Sequence, residues 1–166
     1  MSWTGAVCGG AEHTEQPRCF GAPAPWHYLV PDSQFEQRVE LTADQCVVDG
    51  TTFFVRGHID IPVHGQAEPL TFSVWSSLSE ASFRHMGERW ESRDREQDAP
   101  YFGWLSTAIP AYPDTVHLQL SVQSRSPGLV PLFTVAPGDH ALSIDQHQGI
   151  SEQRLHEIVH GLLHEH

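Results

Sequence analysis

The sequence contains no lysine, only three cysteines and two methionines, and no long apolar run. Its nine basic residues are all arginines and stand against 21 acidic residues, which gives a formal net charge of −12. A surface with this excess of negative charge repels phosphate backbones, so nucleic acid is not expected as a partner. No apolar run approaches the roughly 20 residues of a membrane-spanning helix, so no membrane partner is expected. A protein partner suits this charge, and a basic one suits it best.

The amino-terminal residues lack the basic and apolar segments of a secretory signal, which predicts a cytoplasmic protein. Cys8, Cys19 and Cys46 are an odd number and too few for a secreted disulfide scaffold. We therefore expect free thiols. A Cys8–Cys19 disulfide stays open as an alternative.

The length of 166 residues, with five tryptophans and eight phenylalanines, predicts a single folded domain. Residues 1–31 are rich in glycine and proline and are expected to form an irregular arm, and residues 32–166 an α+β core. The core is predicted as an antiparallel sheet of five or six strands, with helices packed on one face and a carboxyl-terminal helix. The patterns predict helices at about 32–40, 79–90 and 151–164, with Ser79 as a candidate N-cap of the second. They also predict a hairpin around Asp49-Gly50, strands at 70–78, 116–124 and 127–135, a charged, solvated loop at 91–100 and a loop at 136–149.

The segment His156-Glu157-Ile158-Val159-His160 matches the H-E-x-x-H pattern, in which two histidines bind zinc and the glutamate activates water. We interpret the match as accidental. His166 would have to supply the third ligand, and Leu163 stands where the extended pattern has glycine. A helical wheel instead predicts a buried arc of apolar residues, with His156, His160 and His164 outside it. The apolar arc consists of Leu155, Ile158, Val159, Leu162 and Leu163.

Several other groups have both a structural and a functional interpretation. Cys8, His13 and Cys19, with His27 as a further candidate, could form a zinc site, although free thiols are favoured. Asp139, His140, Asp145 and His147 resemble an acid–base or metal cluster, but such residues near glycine are also ordinary in turns. Arg56 and Asp60 fall on the polar face of a strand, where they could pair across the sheet.

Aromatic residues are concentrated in the segment PYFGWLSTAIPAYPDT, which carries Tyr101, Phe102, Trp104 and Tyr112. Packing under a loop is one interpretation, and an aromatic pocket or a protein-docking surface is the other. Trp75, on a predicted strand, is a further candidate for this surface.

Four long segments together resemble the bacterial family called domain of unknown function 2199. These segments are LTADQCVVDGTTFFVRGHIDIPV, FSVWSSLSEASF, PYFGWLSTAIPAYPDT and GDHALSIDQHQGIS. The resemblance runs from about Trp3 to Leu163 and implies no activity, because the family is uncharacterised. It also implies an opening C-x-x-C-G element, in which Gly5 here replaces the first cysteine. Histidine is not implied at the positions of His156 and His160.

Taken together, the residues favour a non-enzymatic binding or interaction module with an aromatic surface. No catalytic residue and no cofactor are assigned, and the candidate binding residues are Trp75, Tyr101, Trp104, Tyr112, Asp139 and His140. The alternative is a metal-dependent hydrolase that uses the H-E-I-V-H segment or the loop of Asp139 and His140. A bound metal would be held by His156 and His160, or by Cys8, His13 and Cys19.

Overall fold

The computed structural model describes residues 4–5, 18–22, 24–25 and 32–164, which form an α+β fold with one mixed sheet. The nine described strands are β1 (Thr4–Gly5), β2 (Cys19–Gly21), β3 (Val39–Leu41), β4 (Gln45–Val48), β5 (Thr52–Ile61), β6 (Leu70–Leu78), β7 (Tyr101–Trp104), β8 (Gln119–Gln123) and β9 (Leu132–Val135). The described α-helices are α1 (Phe35–Arg38), α2 (Glu80–Glu88), α3 (Ala141–Gln148) and α4 (Glu152–His164). Short 3-10 helices span Asp32–Gln34 and Arg95–Gln97.

Strands β5 and β6 form the long antiparallel pair at the centre of the sheet, in register from Phe53–Leu78 to Ile61–Leu70. The turn between β4 and β5 is the one that Asp49-Gly50 predicts. Both residues have positive φ, 54° and 70°, as a tight hairpin turn of this kind requires. The hairpin and the strand at 70–78 are therefore confirmed.

The expected purely antiparallel sheet of five or six strands is wrong in its pairing and its size. The strand order is β1-β2-β6-β5-β9-β8-β7, with β3 and β4 branching from β5. Strand β2 runs parallel to β6, and β9 runs parallel to β5. Turn residues reveal pairing between consecutive strands, but nothing local marks these distant parallel pairs. Strand β2 also lies in the segment expected to be irregular, because Phe20 is fully buried in the core.

One face of the sheet and three helices share the main hydrophobic core. Val55, Ile59 and Ile61 alternate along β5 and are fully buried there. Met86 of α2, Leu142 of α3 and four residues of α4 complete the same cluster. Ser79 caps α2, since its side chain accepts a hydrogen bond from the amide of Ser82, as predicted.

Helix α3 occupies residues that were predicted to form a loop. His140 caps this helix, because its Nδ1 accepts from the amide of Leu142 at 3.1 Å. The helix then completes the edge of β9 that faces away from β8. Gln146 accepts from the amide of Val135 at 2.7 Å and donates to the carbonyl of Phe133 at 2.8 Å. The polar residues of this segment suggested a loop, but they serve as partners for a strand edge.

Replacing Gln146 by leucine is expected to lower the free energy of unfolding by about 2 kcal/mol, because it leaves the amide of Val135 and the carbonyl of Phe133 without partners. Urea denaturation would measure the change. Gln148→Leu is the matched control, since the Gln148 side chain is exposed on the same helix. Equal stability of the two variants would contradict this role of Gln146.

The state of the described cysteines bears on the expected compartment. The expectation of free thiols is wrong for Cys19, which is disulfide-bonded. Cys46 is free and buried, and burial raises the pKa of its thiol to about 11. Cys8 lies outside the described residues.

In the part of the chain that the structure describes, no helix is long and apolar enough to cross a membrane.

Candidate functional site

The face of β5 that points away from the main core carries Arg56, His58 and Asp60, as the alternation of the sequence predicts. All three are partly buried. Across β6, the residues in register with them are Trp75, Ser73 and Thr71. Arg56 and Asp60 do not pair with each other. Arg56 donates to the hydroxyl of Ser73 and lies 3.6 Å from Asp44, while Asp60 accepts from Thr71.

One edge of β5 changes partner in the middle of this polar face. The amide of Arg56 donates to the carbonyl of Asp44, just before β4, and the amide of His58 donates to the carbonyl of Pro131, just before β9. Both neighbouring strands therefore begin at the same point and run away from each other. A cavity of about 440 Å³ opens at this point, within the size range of small-molecule sites. We call it the arginine pocket; it is lined by Asp44, Arg56, His58, Trp90, Arg95, Arg125, Gly128, Leu129 and Val130.

Arg95 is the most buried charge of the pocket, with 6% of its surface exposed. Its guanidinium group donates to the carbonyls of Trp90, Arg125, Ser126 and Leu129 and lies over the Trp90 ring at 5.2 Å. Three of these carbonyls belong to the turn between β8 and β9, so Arg95 fixes the rim of the pocket. No carboxylate of the described residues pairs with Arg95, and its charge is stabilised by carbonyl dipoles and by the Trp90 ring.

Arg125 and Arg56 have hydrogen-bonding capacity left for a ligand. Arg125 donates to the carbonyl of Val130 through Nε, and its two terminal nitrogens have no partner among the described residues. The Nε of Arg56 is buried and likewise unpartnered there. The two terminal nitrogens of Arg56 face its neighbours differently: Nη1 donates to Ser73, and Nη2 lies 3.6 Å from Asp44 without a hydrogen bond to a described residue.

His58 separates the arginine pocket from a second cavity of about 240 Å³, which Arg18, Asp60 and Glu68 also line. Burial, the largest effect, together with the charges of Arg125 and Arg56, holds the pKa of His58 below its ordinary value. Asp60 acts in the opposite direction. His58 is therefore neutral at pH 7 and adds a hydrogen-bonding group rather than a charge.

The family model for uncharacterized proteins conserved in bacteria, DUF2199, matches residues 5–150. This segment covers most of the chain and every residue that lines the arginine pocket. The chain belongs to this family. No curated protein and no solved structure matches it.

The matched segment of this DUF2199 protein ends before α4, so the H-E-I-V-H residues lie outside it. Leu155, Ile158, Val159 and Leu162 of α4 are buried, as the wheel predicts, but Leu163 is 36% exposed. His156, Glu157 and His160 are exposed on the opposite side. Among the described residues, no third His, Cys, Asp or Glu completes a metal site with them.

The aromatic residues predicted to form a surface are divided between the core and the solvent. Trp75 is fully buried and donates to the carbonyl of Ala22, and Tyr112 is buried and donates to Asp145 at 2.6 Å. Neither contributes to a surface, because Trp75 packs with Val39 and Cys46 and Tyr112 belongs to the main core. Tyr101 is half-buried and hydrogen-bonded to His85. Trp104 is exposed and packs edge-on against Phe102, with ring centroids 5.0 Å apart.

Asp139 and His140 do not gather into a cleft with Asp145 and His147. His140 caps α3 and also contacts the carbonyl of Pro113, while His147 contacts the carbonyl of Val135. Asp139 is exposed. His140 and His147 therefore attach α3 to its neighbours. Cys8, His13 and His27, proposed as zinc ligands with Cys19, lie outside the described residues.

Sequence reasoning missed Trp90, Arg95 and Arg125. Arg95 lies in the segment ESRDREQDAP, which its charge density marks as a solvated loop, yet its guanidinium is buried. The sequence carries a partial signal for the pocket in the polar face of β5. Arg56 and His58 on a long strand need polar partners from neighbouring segments. The turn at Pro127-Gly128, where Gly128 has φ of +96°, also marks the rim.

Proposed function

We propose that this protein is a non-enzymatic binding module that holds a small anionic ligand in the arginine pocket. The observation that supports this most directly is the charge of the pocket. Three of the nine arginines of a chain with net charge −12 line one cavity, and Asp44 supplies the single carboxylate among the described lining residues. A cleft of one sign focuses the electric field and attracts the opposite charge, even on a protein whose total charge repels it.

The chemistry of the lining supports binding more than catalysis. The described residues of the lining include no serine, threonine, cysteine, tyrosine or lysine that would act as a nucleophile. The donors of Arg125 form a planar fork, which matches the oxygens of a carboxylate or a phosphate. Arg95 donates to the backbone carbonyl of Arg125 and so fixes the backbone that carries this fork.

The exposed pair of Phe102 and Trp104 favours a second candidate, a contact with a protein partner. Exposed aromatic side chains are enriched at protein interfaces, and the acidic composition suits a basic partner. It ranks below the pocket because two of the four aromatic residues predicted for this surface, Trp75 and Tyr112, are buried.

A cytoplasmic location stays a prediction from the amino-terminal sequence. The disulfide at Cys19 argues against it, since cytosolic thiols are generally kept reduced.

Adding benzoate, phenyl sulfate or phenyl phosphate is expected to raise the Tm of the protein, and Arg125→Ala is expected to abolish the rise. A ligand at 100 times its Kd stabilises by about 2.7 kcal/mol, which differential scanning fluorimetry detects easily. Neutral benzamide is the control ligand. Arg84→Ala is the control variant, because Arg84 is exposed on α2, outside the lining of the pocket, and pairs with Glu80. An equal rise with benzamide, or an undiminished rise in Arg125→Ala, would exclude the pocket as an anion site.

A further inference from the structure

We infer that the arginine pocket selects a dianion, the phosphate group of a small phosphate monoester. The inference rests on the proposed function, because it names the ligand class of the same site. Its starting point is the charge of the lining. The guanidinium groups of Arg56, Arg95 and Arg125 and the carboxylate of Asp44 leave an excess of two positive charges. A phosphate monoester carries close to two negative charges above its second pKa of about 6, whereas a carboxylate or a sulfate ester carries one.

The arrangement of free donors fits one compact group with several oxygens. Among the described residues, the terminal nitrogens of Arg125 have no partner, and Arg56 uses only one of its terminal N–H groups in a hydrogen bond, to Ser73. Arg95 uses four of its five N–H groups on backbone carbonyls, so it contributes charge more than contacts. Two separate carboxylates would each need a pair of donors, and within the described part of the chain Arg125 is the pocket arginine with both terminal nitrogens unpartnered. A single phosphate group takes donors from both arginines at once.

The remaining lining indicates that the phosphate is attached to an organic group. Trp90, Leu129 and Val130 form an apolar wall, and Leu129 is 53% exposed. The volume of about 440 Å³ is that of a site for a small organic molecule rather than for a bare ion. Burial of an apolar substituent against Leu129 therefore adds affinity that inorganic phosphate lacks.

Isothermal titration calorimetry at about pH 7.5, above the second phosphate pKa, tests this with four probes. Phenyl phosphate is the dianion, and methyl phenyl phosphate keeps the ring and the phosphorus but carries one charge. Phthalate is an aryl dicarboxylate, and inorganic phosphate lacks the ring. Phenyl phosphate is expected to bind at least about tenfold more tightly than each of the other three.

The outcomes separate this inference from the proposed function. If the diester or phthalate binds as tightly as phenyl phosphate, selection of a phosphate dianion is wrong, although the pocket still binds anions. If inorganic phosphate binds as tightly as the ester, the organic part of the inference is wrong. If none of the four binds, the proposed function fails with it.

Asp44→Asn provides a test that a folding defect cannot imitate, because it is expected to strengthen binding. The Asp44 carboxylate repels an anionic ligand, and the repulsion energy is proportional to the ligand's charge. Its removal therefore strengthens the binding of a dianion more than that of a monoanion. The affinity for phenyl phosphate relative to methyl phenyl phosphate is therefore expected to rise by about threefold. An unchanged ratio would contradict an electrostatic selection of the dianion.

Discussion

Replacing Arg95 by methionine is expected to lower the free energy of unfolding by about 4 kcal/mol, the largest effect of any exchange in the pocket. Methionine has a similar length and no donors, so the carbonyls of Trp90, Arg125, Ser126 and Leu129 lose their charged partner together. The cost is partly offset because a buried charge is also removed. The net effect is large because three of the carbonyls belong to one turn and lose their charged donor at the same time.

Urea denaturation of Arg95→Met measures this loss, and Arg93→Met is the matched control. Arg93 lies two residues away, is exposed, and makes no ion pair or side-chain hydrogen bond in the described part of the chain. Its replacement is expected to change the stability by less than about 0.5 kcal/mol. Arg95→Lys is expected to lie between the two, since an ammonium group keeps the charge but cannot reach four carbonyls in one plane. If Arg95→Met is as stable as Arg93→Met, Arg95 does not anchor the turn.

Anion binding by the same variants distinguishes the two contributions of Arg95. The pocket loses one positive charge in Arg95→Met and keeps it in Arg95→Lys. If the lysine variant still binds the anion and the methionine variant does not, the positive charge at position 95 attracts the ligand directly. Loss in both variants would mean that Arg95 acts through the position of Arg125, whose carbonyl it holds.

The sequence was a good guide where a local signal decides the structure. The Asp49-Gly50 turn, the Ser79 cap and the alternation along β5 each depend on a few adjacent residues, and all three were predicted correctly. The buried stripe of α4 was also predicted, apart from Leu163, because a period of 3.6 residues is visible without any tertiary information.

The parts that were missed depend on distant residues. Strand β9 pairs with β5 at a single register position, His58 with Leu132. The two strands are far apart in the sequence, so no turn between them predicts this pairing. Helix α3 is held by hydrogen bonds of Gln146 and His147 to the edge of β9. When that edge is not known, the same polar residues predict a loop. Arg95 resembles its exposed neighbour Arg93 in sequence, and only the turn of β8–β9 buries it. The pocket combines all of these distant contacts, so local patterns could not reveal it.

The meeting of β5 and β9 also imposes a steric limit beside the pocket, at Gly57. A Cβ atom at this position would lie 2.4 Å from Cε1 and 2.5 Å from Cζ of Phe133, and 2.7 Å from the carbonyl oxygen of Pro131. The Phe133 ring is fully buried in the main core, and the carbonyl of Pro131 accepts the amide of His58. Neither neighbour has free space to move into, because protein interiors are packed at crystal density.

Gly57→Ala is therefore expected to lower the free energy of unfolding by about 3 kcal/mol, at the upper end of the range for overpacking by one methyl group. Gly161→Ala is the matched control on α4, where a new Cβ meets no atom within 4 Å. Because glycine disfavours a helix interior, the control is expected to gain up to about 1 kcal/mol. Denaturant unfolding of both variants gives opposite signs if β9 packs on β5 as described. Equal and small effects would show that the two strands separate at this point, and the pocket beside them would then have no fixed wall.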